Sequence, residues 1–88
     1  MLIVDLTKAA QRFLARIPDK HAAQIARKLI LMQTNPFPND SCKLKGYELW
    51  RVDVGEYRII YEATAEKILV EIIGKRNDDA VYKTLKRK

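Results

Sequence analysis

The apolar positions change their spacing from one segment of the chain to the next, and each spacing predicts an element. Met1 to Asp5 is short and β-branched, which predicts a strand. From Thr7 to about Ile17, the apolar residues Ala10, Phe13, Leu14 and Ile17 recur at i, i+3, i+4 and i+7. That stripe predicts an amphipathic helix with Thr7 as its cap. Pro18 stops the helix, and Asp19 is placed to cap a second one. This second helix carries Ala22, Ile25, Ala26, Leu29 and Met32 on one face, with Lys20, Arg27 and Lys28 largely on the other. It ends before Asn35-Pro36, and so short a connection makes the pair an αα-hairpin.

Residues 35–45 read as a loop, because two prolines, Asn39, Asp40 and Ser41 supply turn chemistry. The spacing then drops to two. Residues 47–54 alternate, with Trp50, Val52 and Val54 on one face and Leu49, Arg51 and Asp53 on the other. Gly55-Glu56 predicts a two-residue hairpin turn of the glycine-first type, and 57–63 returns. Residues 64–67 turn again, 68–73 form the next strand, and Gly74-Lys75-Arg76 leaves the sheet. Asn77 or Asp78 then caps a last helical segment through Val81, Tyr82 and Leu85. The order is β-α-α-β-β-β-α. The fold class is α+β, with the N-terminal strand and helical hairpin packed on a mainly antiparallel four-stranded sheet. The other sheet face is open to a partner.

Eighty-eight residues predict one domain, 1–88. The chain is 48% hydrophobic, too apolar for a disordered one. Its longest apolar run, Leu29 to Met32, is too short for a membrane span, and Asp5 and Lys8 interrupt any signal-peptide core. One cysteine, Cys42, and one histidine, His21, cannot fill a zinc site, and a lone cysteine fits a reducing, cytoplasmic setting. The net charge of +6 suits either a polyanion partner or a solvated surface. Residues 1–42 carry six basic and three acidic groups, and 43–88 carry eleven and eight, so both halves net +3. A basic patch therefore has to come from the fold.

The turn at Gly55-Glu56 sets a register. Val54 pairs with Tyr57 and Asp53 with Arg58, while Arg51 lies two residues before Asp53 on the same face. Arg51, Asp53 and Arg58 are thus expected to converge, with Trp50, Val52, Ile59 and Tyr61 turned toward the helices. Such a cluster reads either as an ordinary cross-strand ion-pair face or as an anion site. His21, in the second helix, is expected away from the cluster in a surface or structural role. Trp50 is expected in the core. Tyr57 suits base stacking or cross-strand packing equally. No carboxylate cluster for a metal is seen apart from Asp78-Asp79, which suits a helix start.

The segments Lys43-Leu44-Lys45-Gly46, Gly55-Glu56-Tyr57-Arg58-Ile59-Ile60-Tyr61-Glu62 and Gly74-Lys75-Arg76 through Val81-Tyr82 resemble, at these separations, the RelE/ParE toxin superfamily, specifically its RelE-like ribosome-dependent mRNA endonucleases. The resemblance covers nearly the whole chain. It implies a type II toxin that cleaves mRNA in the ribosomal A site by 2′-OH attack on the adjacent phosphate, without metal or cofactor. It carries catalytic positions over to Arg51, Arg58, Arg76 and Tyr82. Lys43, Lys45 and Lys75 would bind RNA or ribosome. Asp53 stands where the family often has a second lysine, and it would orient Arg58 or act as general base. The implied partners are a RelB-like antitoxin, the ribosome and mRNA, with operator DNA only through the antitoxin complex and no membrane. The alternatives are a ParE-like DNA gyrase poison and a catalytically inactive RNA- or ribosome-binding module of the same fold.

Overall fold

A computed structural model describes residues 1–77. The expected C-terminal helical segment, with Asp78-Asp79 and Tyr82, lies outside the described residues. Strand β1 (Ile3–Leu6) leads into helix α1 (Lys8–Arg16). Thr7 caps that helix as expected, accepting the Ala10 N–H on Oγ1 at 3.2 Å. The same hydroxyl donates to the Glu71 carbonyl at 2.7 Å and so ties the helix start to the sheet.

Helix α2 (Asp19–Met32) starts differently from expectation. Pro18 holds the cap position with no side-chain bond, and its carbonyl accepts from the His21 and Ala22 N–H groups. Asp19 is instead the first helical residue, where its carboxylate faces the positive end of the helix dipole. Ile25, Leu29 and Met32 are buried, but Ala26 is exposed. The apolar stripe of α2 is therefore narrower than the sequence pattern suggests.

The sheet has five strands rather than four, in the order β1-β5-β4-β3-β2. The addition is β2 (Ser41–Lys43), inside the expected loop and antiparallel to β3 (Trp50–Val54). It covers what would be an unpaired edge of β3. Strand β3 begins at Trp50 rather than Tyr47, because residues 44–49 turn instead. Leu44 donates its N–H to Leu49, Tyr47 donates its N–H back to Leu44, and Gly46 adopts a positive φ of 84°. Gly55 at the first turn position has φ 56° and Glu56 does not share the sign, as the glycine-first hairpin requires. Strand β4 (Tyr57–Ala63) pairs antiparallel with β5 (Lys67–Lys75), and β1 pairs parallel with β5.

Strand β5 runs two residues further than expected, with Gly74 opposite Arg58 and Lys75 opposite Tyr57. It also carries a bulge. Ile60 faces Ile72 but Tyr61 faces Val70, which leaves Glu71 as the extra residue. Its carbonyl is the one that Thr7 bonds. The bulge changes the alternation, so Ile68, Val70 and Ile73 all join the helix-facing core while Ile72 turns outward.

That core fills the space between sheet and helices, with Ile25, Ile59, Tyr61, Ile68 and Val70 fully enclosed. Each such aliphatic side chain contributes roughly 1.5–3 kcal/mol. Tyr61 donates its hydroxyl to the Pro36 carbonyl at 2.7 Å, and burial pushes its pKa above the ordinary tyrosine value. The outer face is not wholly open. Leu44 and Leu49, carried by the 44–49 connection, cover Ile60 and Ile72 in a second, smaller cluster. Among the described residues no helix is long and apolar enough to cross a membrane.

Candidate functional site

Beside the small outer cluster, the expected register is present: Asp53 pairs with Arg58 and Val54 with Tyr57. Val52, Val54, Ile59 and Tyr61 are buried on the helix side, so Arg51, Asp53 and Arg58 share the outer face. Asp53 and Arg58 form a two-point ion pair. Arg58 donates from Nε to Oδ1 at 2.8 Å and from Nη2 to Oδ2 at 3.3 Å. Both are half-buried, with side chains 17% exposed for Arg58 and 32% for Asp53.

The Arg58 hydrogen bonds hold the Asp53 carboxyl below its ordinary value against a smaller opposing effect of burial. The positive charges of Arg58, Arg51 and Arg76 add to the depression. Arg76, just past β5, is thus within electrostatic reach of the same carboxylate, whose ion pair among the described residues is with Arg58. Its exposed side chain sits at the corner where the Arg76 N–H bonds the Glu56 carbonyl at 2.9 Å. One guanidinium paired with the carboxylate and two more within its electrostatic reach leave an excess of positive charge, suited to a phosphate with its paired oxygens.

The expected lysines do not join this cluster. Lys43 pairs with Trp50 across β2–β3, on the opposite side from Arg51, and lies 3.7 Å from Glu48. Lys45 is exposed in the turn after β2. Lys75 lies opposite Tyr57 and therefore on the helix-facing side, because the bulge reverses the alternation of β5. Among the described residues no group of three or more histidine, cysteine, aspartate or glutamate side chains is placed to hold a metal ion.

His21 has the structural role expected of it, but it lies closer to the arginines than expected. The start of α2 lies against the β3–β4 turn, and a cleft of about 460 Å³ opens there, lined by His21, Gln24, Glu56, Tyr57, Lys75 and Arg76 among others. His21 Nδ1 and the Tyr57 hydroxyl share a hydrogen bond at 2.7 Å, with the rings edge to face. Tyr57 is 4% exposed and meets Phe13 edge-on, so it packs in the core rather than standing as a stacking platform. His21 thus lies in a cleft that shares Arg76 with the arginine face. The sequence carries one sign of this. His21 lies four residues before the buried Ile25, at the edge of the helix stripe that faces the sheet. Trp50 is half-buried against the core with Phe37 at 4.5 Å.

The pair predicts a pH effect. A carboxyl depressed on folding contributes stability that is whole above the unfolded value, about pH 4, and is lost as pH falls through the lower folded value. Asp53→Asn is expected to cost no more than about 1 kcal/mol at neutral pH. Its stability gap to the wild-type protein should close below about pH 4 in urea titrations. A gap that widens on acidification would contradict the depressed carboxyl.

The family profile described as the ParE toxin of type II toxin-antitoxin system, parDE, matches residues 4–80. No curated protein matches significantly. Among solved structures, the RelE of the archaeal RelE-RelB complex from Pyrococcus horikoshii is 24% identical. It aligns with a TM-score of 0.76 over 85% of this chain and 94% of that one. A variant of the E. coli toxin RelE in the free state is 22% identical, with a TM-score of 0.78 over 98% and 96%. The RelE of the RelB-RelE complex from Methanococcus jannaschii is 24% identical, with a TM-score of 0.70 over 91% and 96%. At these identities the structures speak for the fold, and the family profile spans nearly all of the chain, so the chain belongs to the RelE/ParE superfamily, toxins of type II toxin–antitoxin systems.

Proposed function

We propose that the chain is an mRNA endonuclease that acts in the ribosomal A site. The observation that carries this reading is the gathering of Arg51, Arg58 and Arg76 around the Asp53 carboxylate. RNA brings its own nucleophile, the 2′-OH. Attack on the adjacent phosphorus forms the O2′–P bond and expels the 5′-oxygen of the next nucleotide. The products are a 2′,3′-cyclic phosphate and a 5′-hydroxyl, with one proton leaving the 2′-OH and one reaching the leaving oxygen. Arginines suit the negative charge that builds on the phosphorane and serve poorly as bases. Arg51, Arg58 and Arg76 therefore stabilise charge, and Tyr82 supplies a proton-transfer group.

Asp53 orients Arg58 rather than taking the 2′-OH proton. Its depressed carboxyl is further from neutrality than an ordinary aspartate, and a general base works best near the operating pH. Asp53→Asn should accordingly keep substantial cleavage activity, whereas a base would lose about 10²-fold or more. Lys43, Lys45 and Lys75 contact RNA or ribosome backbone. RelE–RelB complexes among the similar structures support a RelB-like antitoxin as partner. In this reading the pair works in the cytoplasm, and operator DNA is met only through the antitoxin complex.

The family profile favours a second reading, a ParE-like DNA gyrase poison without RNA cleavage. One experiment separates the two: primer extension on mRNA from translating ribosomes, with supercoiled DNA and gyrase as the parallel arm. New 5′ ends within codons, with gyrase unaffected, are expected. Inhibited gyrase and intact mRNA would establish the second reading instead.

A further inference from the structure

We propose that the cleft between the start of α2 and the β3–β4 turn is a second phosphate subsite. It would hold a phosphodiester of single-stranded RNA adjacent to the one engaged by the arginine face. This rests on the reading of that face as an RNA site. The two sites are continuous through Arg76, which lines the cleft and also acts on Asp53. Lys75 supplies a second cation, and neither Lys75 nor Arg76 has an acidic ion-pair partner among the described residues. The carboxylate in the lining, Glu56, is exposed at the turn, and its main-chain carbonyl is already engaged by Arg76.

His21 is built into the cleft wall. Tyr57 is almost fully buried, and its hydroxyl shares a hydrogen bond with Nδ1 that fixes the imidazole in the wall. In the tautomer in which Nδ1 accepts that hydroxyl, Nε2 carries the ring proton and can donate to an anion. Gln24 closes one side against the turn. A Cβ on Gly55 would come to 3.0 Å from its side-chain amide, so the two are in close contact. A volume of about 460 Å³ is in the range of small-ligand sites and exceeds a bare phosphate, leaving room for part of a nucleotide. Two cationic sites that share a corner suit a strand whose anions repeat along a backbone.

Labelled protein titrated with a 2′-O-methyl RNA trinucleotide, which lacks the nucleophile and stays intact, reads both sites at once by NMR. The amides of Gly55 and Gln24 and the His21 ring are expected to shift together with Arg51 and Arg58. Replacing the phosphodiesters one at a time by neutral methylphosphonates should identify one linkage that silences the cleft shifts and leaves the arginine-face shifts. Lys75→Gln, an exposed change, should weaken binding about threefold to tenfold and lower the salt slope by about one. Motionless cleft resonances alongside shifting Arg51 and Arg58 would overturn the subsite and keep the arginine face. Cleft shifts alone would keep the subsite and sink the arginine face, and no shift at either removes both. A glutamate tripeptide that fills the cleft more tightly than the RNA would make it a peptide site and end the proposal.

Discussion

Arg58→Ala and Arg76→Ala should each reduce single-turnover cleavage of ribosome-bound mRNA by about 10²–10³-fold, the usual scale for removing one donor from a charge-stabilising site. The two variants test the site from different sides. Arg76 is exposed at the end of β5, so its truncation leaves the core untouched and folding should be unchanged. Arg58 is half-buried and bound to Asp53, so its loss leaves the carboxylate without its two-point partner. Arg58→Ala therefore needs a folding control, and Arg58→Lys is informative beside it. Lysine keeps the charge but not the planar fork. Activity near the wild-type level in Arg58→Lys would reduce the arginine to a point charge. Undiminished toxicity of a folded Arg76→Ala protein would falsify the charge-stabilising role of that corner.

A second large effect is expected from the ribosome itself. The outer face brings three cations to one place, yet its carboxylate is depressed, and no imidazole on that face completes an acid–base pair. Alignment of the 2′-OH with the scissile phosphate then has to come from elsewhere, and holding reactants in line accounts for the largest gains available without new catalytic groups. The same mRNA should be cut at least about 10³-fold faster in an occupied ribosome than free in solution, measured as single-turnover rates at saturating protein. Equal rates would mean that the isolated domain already supplies the alignment, and the search for a base would return to its own side chains.

The parts of the molecule legible in the sequence are those governed by neighbours along the chain. Thr7 caps α1 because the residue before an apolar stripe can reach the Ala10 amide. Gly55 sets the β3–β4 register, and with it the Asp53–Arg58 pair, because a two-residue turn leaves no freedom of pairing. What stayed hidden depends on distant contacts. Ser41–Lys43 is polar and three residues long, and it becomes a strand only because β3 offers it an edge. Lys75 shares a face with Ile73 as strand residues two apart do, but which face that is depends on an irregularity four residues before it, at Glu71. His21 gains its neighbours from a helix start meeting a hairpin turn 34 residues away in sequence, at Gly55.

The bulge at Glu71 makes β5 two half-strands of opposite phase. The first half, through Val70, is matched to β1 and to the lower part of the core; the second, from Ile72, sets which residues reach Arg58 and which reach the cleft. Removing Glu71 alone would restore even alternation with every other residue of the strand still on its present face, because that one residue is what changes the phase. What would go is the carbonyl that receives the Thr7 hydroxyl, and with it a tie between the start of α1 and the sheet. The extra residue thus serves the anchorage of the first helix, and the two faces of the sheet do not depend on keeping it.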